Sequence, residues 1–248
     1  MFGDGNFWTT YAFLVVIIVA RYFMIAGFFH YYLWMRPADK VKAVRLTRHN
    51  PTRATIRHEI IMSTISAFIY AAPAAWVMVM WENGGTALYT EVNGLLGWLY
   101  IPVSILIFLF ANDAFFYWTH RAMHHPKLYN LMHRTHHKSK QPTPWAAFSF
   151  HPTEALLESW LLPVMAIFIP IHVGAALFVL MAMTVTSVTN HAGWEILPRS
   201  WVKGWIGDNI ISATHHNMHH TKFNGNYGLH FRLWDKLMGT DIMKPVKK

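Results

Sequence analysis

The sequence predicts an all-α integral membrane protein with about four transmembrane helices, the last two forming a hairpin, and a cytosolic, histidine-rich helical cap. Three observations carry this prediction. Hydrophobic residues make up 54% of the 248-residue chain and charged residues only 13%, against roughly 25% charged in an average soluble domain. Several apolar stretches reach the roughly 20 residues that a membrane-crossing helix needs. All of the basic residues but Arg21 lie between those stretches, not within them.

The first span, Thr9 to Met35, lacks the basic start and small-residue cleavage pattern of a signal peptide, so it is expected to remain as a helix. Arg21 lies near its middle. A charge at that depth costs about 2.5–3.5 kcal/mol, so it should face protein or snorkel. The second span runs from about Ile60 to Trp81 and ends in the turn ENGG; the third runs from about Leu95 to Thr119. Two shorter apolar stretches between Ala155 and Asn190, interrupted by Pro163 and Pro170, read as the hairpin. With no linker, low-complexity tract or repeat, residues 1–248 read as one integral-membrane unit.

Orientation follows from lysine and arginine. Residues 36–58 carry seven, 120–153 five and 191–248 eight, which is twenty of the twenty-one in the chain. Segments 1–8 and 82–94 carry none. The positive-inside rule puts the three basic segments in the cytosol. Charge placed this way flanks a membrane; it does not form a nucleic-acid footprint. The absence of cysteine excludes disulfide frameworks, thiolate zinc sites and iron–sulfur clusters.

The same basic segments hold three histidine clusters: His120, His124 and His125 in HRAMHH; His133, His136 and His137 in HRTHH; and His215, His216, His219 and His220 in HHNMHH. Helical residues three and four apart are neighbours, so the rings of each cluster can aim at one point. So many imidazoles at one membrane face are too many for one ion, and two ions with open positions fit better. His191, alone, reads as a helix cap; beside the clusters it reads as a further ligand. Asp113, Tyr117, His120 and His124 share one helical stripe. Asp113 either accepts the free N–H of a ligating ring, makes an interhelical hydrogen bond, or pairs with Arg21. Histidine ligands alone do not choose the metal, but no HExxH-type zinc signature is present. A pair of irons that activates O2 against an unactivated C–H bond suits a neutral, oxidation-resistant shell beside a bilayer. A b-type haem carrier and a metal transporter or sink are the rival readings. Haem would need isolated mid-helix histidines, and transport a polar path through the spans.

These motifs, following a DAFFYW span, resemble those of the fatty acid hydroxylase superfamily of membrane di-iron oxygenases. PTPWAAFSFHPTEAL (142–156) and ATHHNMHHTKFNGNYGLHFRLWDKLMGTD (213–241) look most like its sterol desaturase and sterol methyl oxidase branch. The similarity runs from about residue 84 to 241. It implies O2-dependent hydroxylation or desaturation of a lipid, of sterol or fatty-acyl type, at two iron ions on the cytosolic side of the membrane. The implied ligands are His120, His124, His133, His136, His137, His191, His216, His219 and His220. His125 and His215 fall behind them or on the rim, with Asp113 as a further candidate there. HPTE (151–154) is not the HPGG signature of a fused cytochrome b5 domain. Electrons are therefore expected from a separate cytochrome b5-like or ferredoxin-like donor on the basic face. His151 and Glu154 read as a helix start, NGNYG (224–228) as a loop, and LHFRLWDKLM as an interfacial segment with Trp234 at headgroup depth.

Overall fold

A computed structural model describes residues 6–243. Residues 1–5 and 244–248, the ends of the single unit expected over 1–248, lie outside the described residues. Four helices have the length and apolarity to cross a membrane: Phe7–Met35, Arg53–Glu82, Gly94–Met123 and Val173–Asn190. Their outward side chains, such as Val16, Leu96 and Leu177, stay more than 60% exposed, an arrangement that suits lipid and not water.

Helix α1 (Phe7–His30) starts at Asn6, whose side chain accepts from the N–H groups of Trp8 and Thr9, and it continues through a π-helical turn, Tyr31–Met35. Helix α2 (Arg53–Glu82) starts on a Thr52 cap and α3 (Gly94–Met123) follows Asn93. Both extend beyond the apolar windows that reveal them. Basic stems at Arg53 and Arg57 can lie along the helix while their heads reach water, and α3 carries His120 on its last turn. Small residues face inward, including Ala26, Ser63, Ser66, Ala67, Ala71 and Ala75, which lets helix backbones approach closely where lipid removes the hydrophobic drive.

The hairpin forms with unequal limbs. After α4 (Pro126–Met132), the outgoing limb is α5 (Pro152–Glu158) and α6 (Leu161–Phe168), separated at Ser159–Trp160; the returning limb is α7 (Val173–Asn190). Pro163 falls in the first turn of α6, where a missing N–H costs no internal bond. At the turn of the hairpin the Ala87 N–H donates to the Ala166 carbonyl at 3.0 Å. There β2 (Leu88–Tyr89) pairs in parallel with β3 (Ile171–His172). At the other end β1 (Val44–Arg45) pairs antiparallel with β4 (Trp194–Glu195). The short helices α8 (Arg199–Val202) and α9 (Trp205–Asn209), then α10 (Ala213–Lys222) and α11 (Leu233–Leu237), complete the cap.

Between α4 and α5 the chain re-enters the bundle as a 3-10 turn, Pro144–Phe148. Non-helical backbone among apolar helices needs partners for its carbonyls, and three helices supply them. Tyr22 Oη and Ser63 Oγ each donate to the Trp145 carbonyl at 2.8 Å, and Ser187 Oγ donates to that of Ala147 at 2.8 Å. Glu59, one residue before the expected start of the second span, is fully buried inside α2 and accepts from Thr143 Oγ1 at 2.5 Å.

Asp113 takes the hydrogen-bonding role among those expected of it, but with backbone as its partner. Its Oδ1 accepts the N–H groups of Leu229, His230 and Phe231 at 3.3, 2.7 and 3.1 Å. No bond to a clustered histidine and no ion pair with Arg21 is present among the described residues. An acid in a membrane helix thereby caps a stretch of chain that has no ladder of its own. Replacing Asp113 by Ala leaves those donors without an acceptor, at about 1–3 kcal/mol for each buried group. Thermal unfolding in detergent, followed by tryptophan fluorescence, should show Asp113→Ala melting several degrees lower, with Asp113→Asn in between.

Candidate metal centre

Nine imidazoles meet at one end of the bundle in two sets. His120, His124, His133, His137 and His219 form the first; His136, His191, His216 and His220 form the second. In each set one nitrogen per ring lies within 4.8 Å of all the others. The contacts are closest between Nε2 atoms: His124–His137 and His137–His219 at 3.1 Å in the first set, and His136–His191, His191–His216 and His216–His220 at 3.2, 2.8 and 3.1 Å in the second. Metal–imidazole bonds of about 2.0–2.1 Å put adjacent ligands about 3 Å apart. A planar haem macrocycle has no room among rings so close.

Helical geometry explains the sorting. The pairs four apart, His120/His124, His133/His137 and His216/His220, each serve a single set. The adjacent pairs His136–His137 and His219–His220 send one ring to each, because successive side chains on a helix or 3-10 turn diverge by 100° or more. The clusters therefore do not each aim at one point, as their spacing suggests; the second and third are shared between the two sets. The rings of His137 and His220 are 4.8 Å apart, so the sets adjoin.

The outer nitrogens fix several of the rings. His120 Nδ1 donates to the Tyr227 carbonyl at 2.8 Å, His219 Nδ1 to that of Gly225 at 2.9 Å and His191 Nδ1 to that of Ser187 at 2.7 Å. His133 Nδ1 lies 2.7 Å from Glu154 Oε1. With the proton on Nδ1, each Nε2 presents a lone pair inward. Those of His120 and His133 are buried with no hydrogen-bond partner. Lone pairs facing one another without a donor are costly, and a cation resolves that cost, so the donor set fits a metal in each position. Burial drives His191 and His124 down to about 4, and His219 to about 3 with help from the neighbouring His124. Burial likewise holds His133, His136, His137, His216 and His220 well below the ordinary imidazole value. The rings are neutral, the form that ligates.

The nine converging histidines are the nine singled out by motif resemblance. His125 is exposed and caps α4, its Nδ1 accepting from the Lys127 N–H. His215 belongs to a capping box with Ser212 at the start of α10. Glu195 Oε2 braces that end, accepting from Ser212 Oγ at 2.6 Å and from the Thr214 N–H at 3.0 Å. His151 caps α5 as expected. Glu154 lies in the first turn of α5 but faces His133, a role its sequence position hides. The NGNYG loop supplies two of the carbonyls that orient the rings, which no residue type announces. Asp235, in the segment expected along the interface, is buried and accepts from the Tyr227 and Gly228 N–H groups at 2.9 and 2.8 Å, while Trp234 stacks on Tyr117.

The fold and site define a multi-pass integral membrane protein with a histidine-rich, metal-competent centre at the end of its helices. A fatty acid hydroxylase family model matches residues 105–240, and the chain belongs to that family. It is 30% identical to lathosterol oxidase of Mus musculus over 186 residues, covering 75% of this chain and 60% of that protein. It is 32% identical to a Delta(7)-sterol 5(6)-desaturase of Gibberella zeae over 158 residues, covering 64% and 47%. With lathosterol oxidase of Homo sapiens it shares 34% over 140 residues, covering 56% and 45%. The chain thus spans about 60% or less of the length of these curated relatives. No solved structure gives a significant match.

The depressed imidazoles set the pH response of the metal-free chain. A ring near 6.5 when unfolded and about 4 when folded contributes its full stability above pH 6.5. That contribution is lost at about 1.4 kcal/mol per pH unit as pH falls from 6.5 to about 4, with His219 extending the window to about 3. Chelator-treated protein should unfold cooperatively between pH 6.5 and 4. A melting temperature flat across that window would contradict this account.

Proposed function

We propose that this chain is a membrane di-iron oxygenase that hydroxylates or desaturates an unactivated C–H position of a lipid, using O2 and electrons from a separate protein. The observation that carries the reading is the convergence of nine neutral imidazoles in two adjoining sets at the end of apolar helices. Family membership supports iron as the metal, one ion per set. The distribution of lysine and arginine supports a cytosol-facing centre. The names of the relatives, lathosterol oxidase and Delta(7)-sterol 5(6)-desaturase, make a sterol the first substrate class to test, with fatty-acyl lipids next.

Bound irons would supply the O2 activation, which no side chain of the set can perform. Hydroxylation consumes O2, two electrons and two protons and releases one water; desaturation, which takes two hydrogens from the lipid, releases two. The chain contributes position. The first set would hold an ion with His120, His124, His133, His137 and His219, and the second with His136, His191, His216 and His220. The second set, one ligand poorer, leaves more room for an incoming molecule. Carbonyls of Tyr227, Gly225 and Ser187 keep three rings from rotating. Glu154 keeps His133 turned inward and offers a carboxylate to balance the charge of an ion on the far side of that ring. Apolar helices bring the lipid to the centre and exclude water.

Protein reconstituted with ferrous iron in nanodiscs should bind two ions per chain and convert an added sterol to an oxygenated or unsaturated product detected by mass spectrometry. His216→Ala should abolish the product. Two ions bound with neither O2 uptake nor any lipid product would identify a metal sink instead. For Glu154→Ala, competition against a chelator should show ferrous affinity falling about 10–100-fold. Glu154→Gln, whose amide oxygen still accepts from His133, should retain most of it.

A further inference from the structure

Tyr227 lies against the first histidine set, its ring 5.6, 5.1 and 5.6 Å from those of His120, His124 and His219. Behind it stands Tyr117, at 6.3 Å. Tyr117 stacks on Trp234 at 6.1 Å and meets Trp118 edge-on at 5.4 Å, and these two indoles are 5.8 Å from each other. Tyr117 is fully buried, whereas Trp118 is 45% exposed. A continuous row of oxidisable rings thus runs from the first set to the outer face of α3. Among the described residues, the ring other than histidine beside the second set is Phe150, 5.2 Å from His136, and a phenyl ring is far harder to oxidise. Rings in contact are ordinary packing, but the hydroxyl of Tyr117 has an unusual setting. Arg121 Nη1 donates to its Oη at 3.1 Å, and Thr240 Oγ1 lies 2.9 Å away. Thr240 Oγ1 in turn donates to Asp235 Oδ1 at 2.7 Å. A guanidinium only donates and a carboxylate only accepts, so the phenol proton points to Thr240 and the threonine proton to Asp235. Burial raises the Asp235 carboxyl above its ordinary value, which readies it to take a proton. The other two tyrosines near the set lack such an outlet. The Tyr227 hydroxyl meets the Phe223 carbonyl at 3.4 Å, and that of Tyr129, whose ring is 5.8 Å from His124, has no hydrogen-bond partner among the described residues.

We propose, resting on the O2-dependent reading of the centre, that Tyr117 is a radical relay that discharges the iron centre when it has been oxidised with no lipid in place. An oxidising equivalent that finds no substrate attacks the side chains nearest to it, which are the ligands themselves, and excluding such side reactions falls to the protein. In the discharge one electron leaves Tyr117, crosses the Tyr227 ring and reduces the centre by one unit. The O–H bond of Tyr117 breaks, its proton bonds to Thr240 Oγ1, and the Thr240 proton moves to Asp235 Oδ1. The neutral tyrosyl oxygen keeps the hydrogen bond from Arg121. Trp118 then returns an electron to Tyr117 and the protons move back. A small reductant of the ascorbate or hydroquinone class restores the exposed indole and is itself oxidised by one electron.

The test uses the full iron-loaded chain in phosphatidylcholine nanodiscs without added sterol, oxidised with O2 and, separately, with peracetic acid, then freeze-quenched for electron paramagnetic resonance. A tyrosyl signal, narrowed by ring-deuterated tyrosine, should appear with either oxidant. It should fall about tenfold or more in Tyr117→Phe and change less than about twofold in Tyr129→Phe. Thr240→Val leaves the phenol but removes its proton acceptor, and should lower the signal about threefold or more. Trp118→Phe, a change at an exposed position, should leave the signal in place and slow its decay with ascorbate about threefold or more. Iron content equal to that of the unsubstituted chain identifies the variants that have folded; should Tyr117→Phe not fold, Thr240→Val and Trp118→Phe carry the test. A signal that survives Tyr117→Phe, disappears with Tyr129→Phe, is unchanged by Thr240→Val or is absent under peracid would overturn the proposal, as would equal decay in Trp118→Phe. A Tyr117-dependent signal under peracid, with no O2 uptake, would instead overturn the oxygenase reading and leave the relay standing.

Discussion

Nine imidazoles, eight of them buried, must pack together uncharged, with their lone pairs turned toward two shared points. Nothing else in this fold is so demanding. Unpaired polar nitrogens in a dry interior are destabilising, and rings free to rotate would relieve that cost by pairing with one another. The Nε2 contacts of about 3 Å show how near they come to doing so. What keeps lone pairs facing inward is the occupation of outer nitrogens, by carbonyls at residues 187, 225 and 227 and by the Glu154 carboxylate. A site built this way is strained without a cation and settled with one.

The acids of the cap are employed in a way that a search for metal ligands misreads. Asp113, Glu195 and Asp235 all sit near the histidine end, and all three accept from backbone N–H groups. Asp113 and Asp235 between them clamp residues 227 to 231, and Glu195 clamps the start of α10. Carboxylates hold the chain and imidazoles face one another. Only Glu154 touches both jobs, by standing directly behind a ring. This division keeps anionic side chains out of both nitrogen sets and leaves Glu154 to act on the centre only through the ring of His133.

Much of this was legible in the sequence, for identifiable reasons. Apolar length exposes a membrane helix because lipid admits little else, and tandem histidines with spacings of three and four stand out in a chain so poor in polar residues. The hairpin was visible too, although composition could not show that its outgoing limb breaks at Ser159–Trp160. The sharing of adjacent histidines between two sets was hidden, because spacing alone makes a cluster look like one site. Glu154 was masked by its ordinary place in a helix's first turn. The Gly225 and Tyr227 carbonyls could not be read at all, since every residue carries that group and only tertiary placement distinguishes these two. Asp113 was conspicuous as a buried acid, but three distant amides, not a neighbouring ring, were its partners.

The loop at 225–228 has a consequence for the order in which the protein can be made. His120 leaves the ribosome roughly a hundred residues before the carbonyl of Tyr227 that orients it, and the clamp at Asp235 comes later still. Three of the four long helices are complete by residue 123, so the bundle can begin to insert while the centre has neither its other eight histidines nor the backbone that fixes the first. Assembly of the histidine centre is therefore a terminal event in biogenesis. A nascent chain stalled between the third long helix and α11 would carry three complete spans and imidazoles not yet clamped, open to quality control before the centre is assembled.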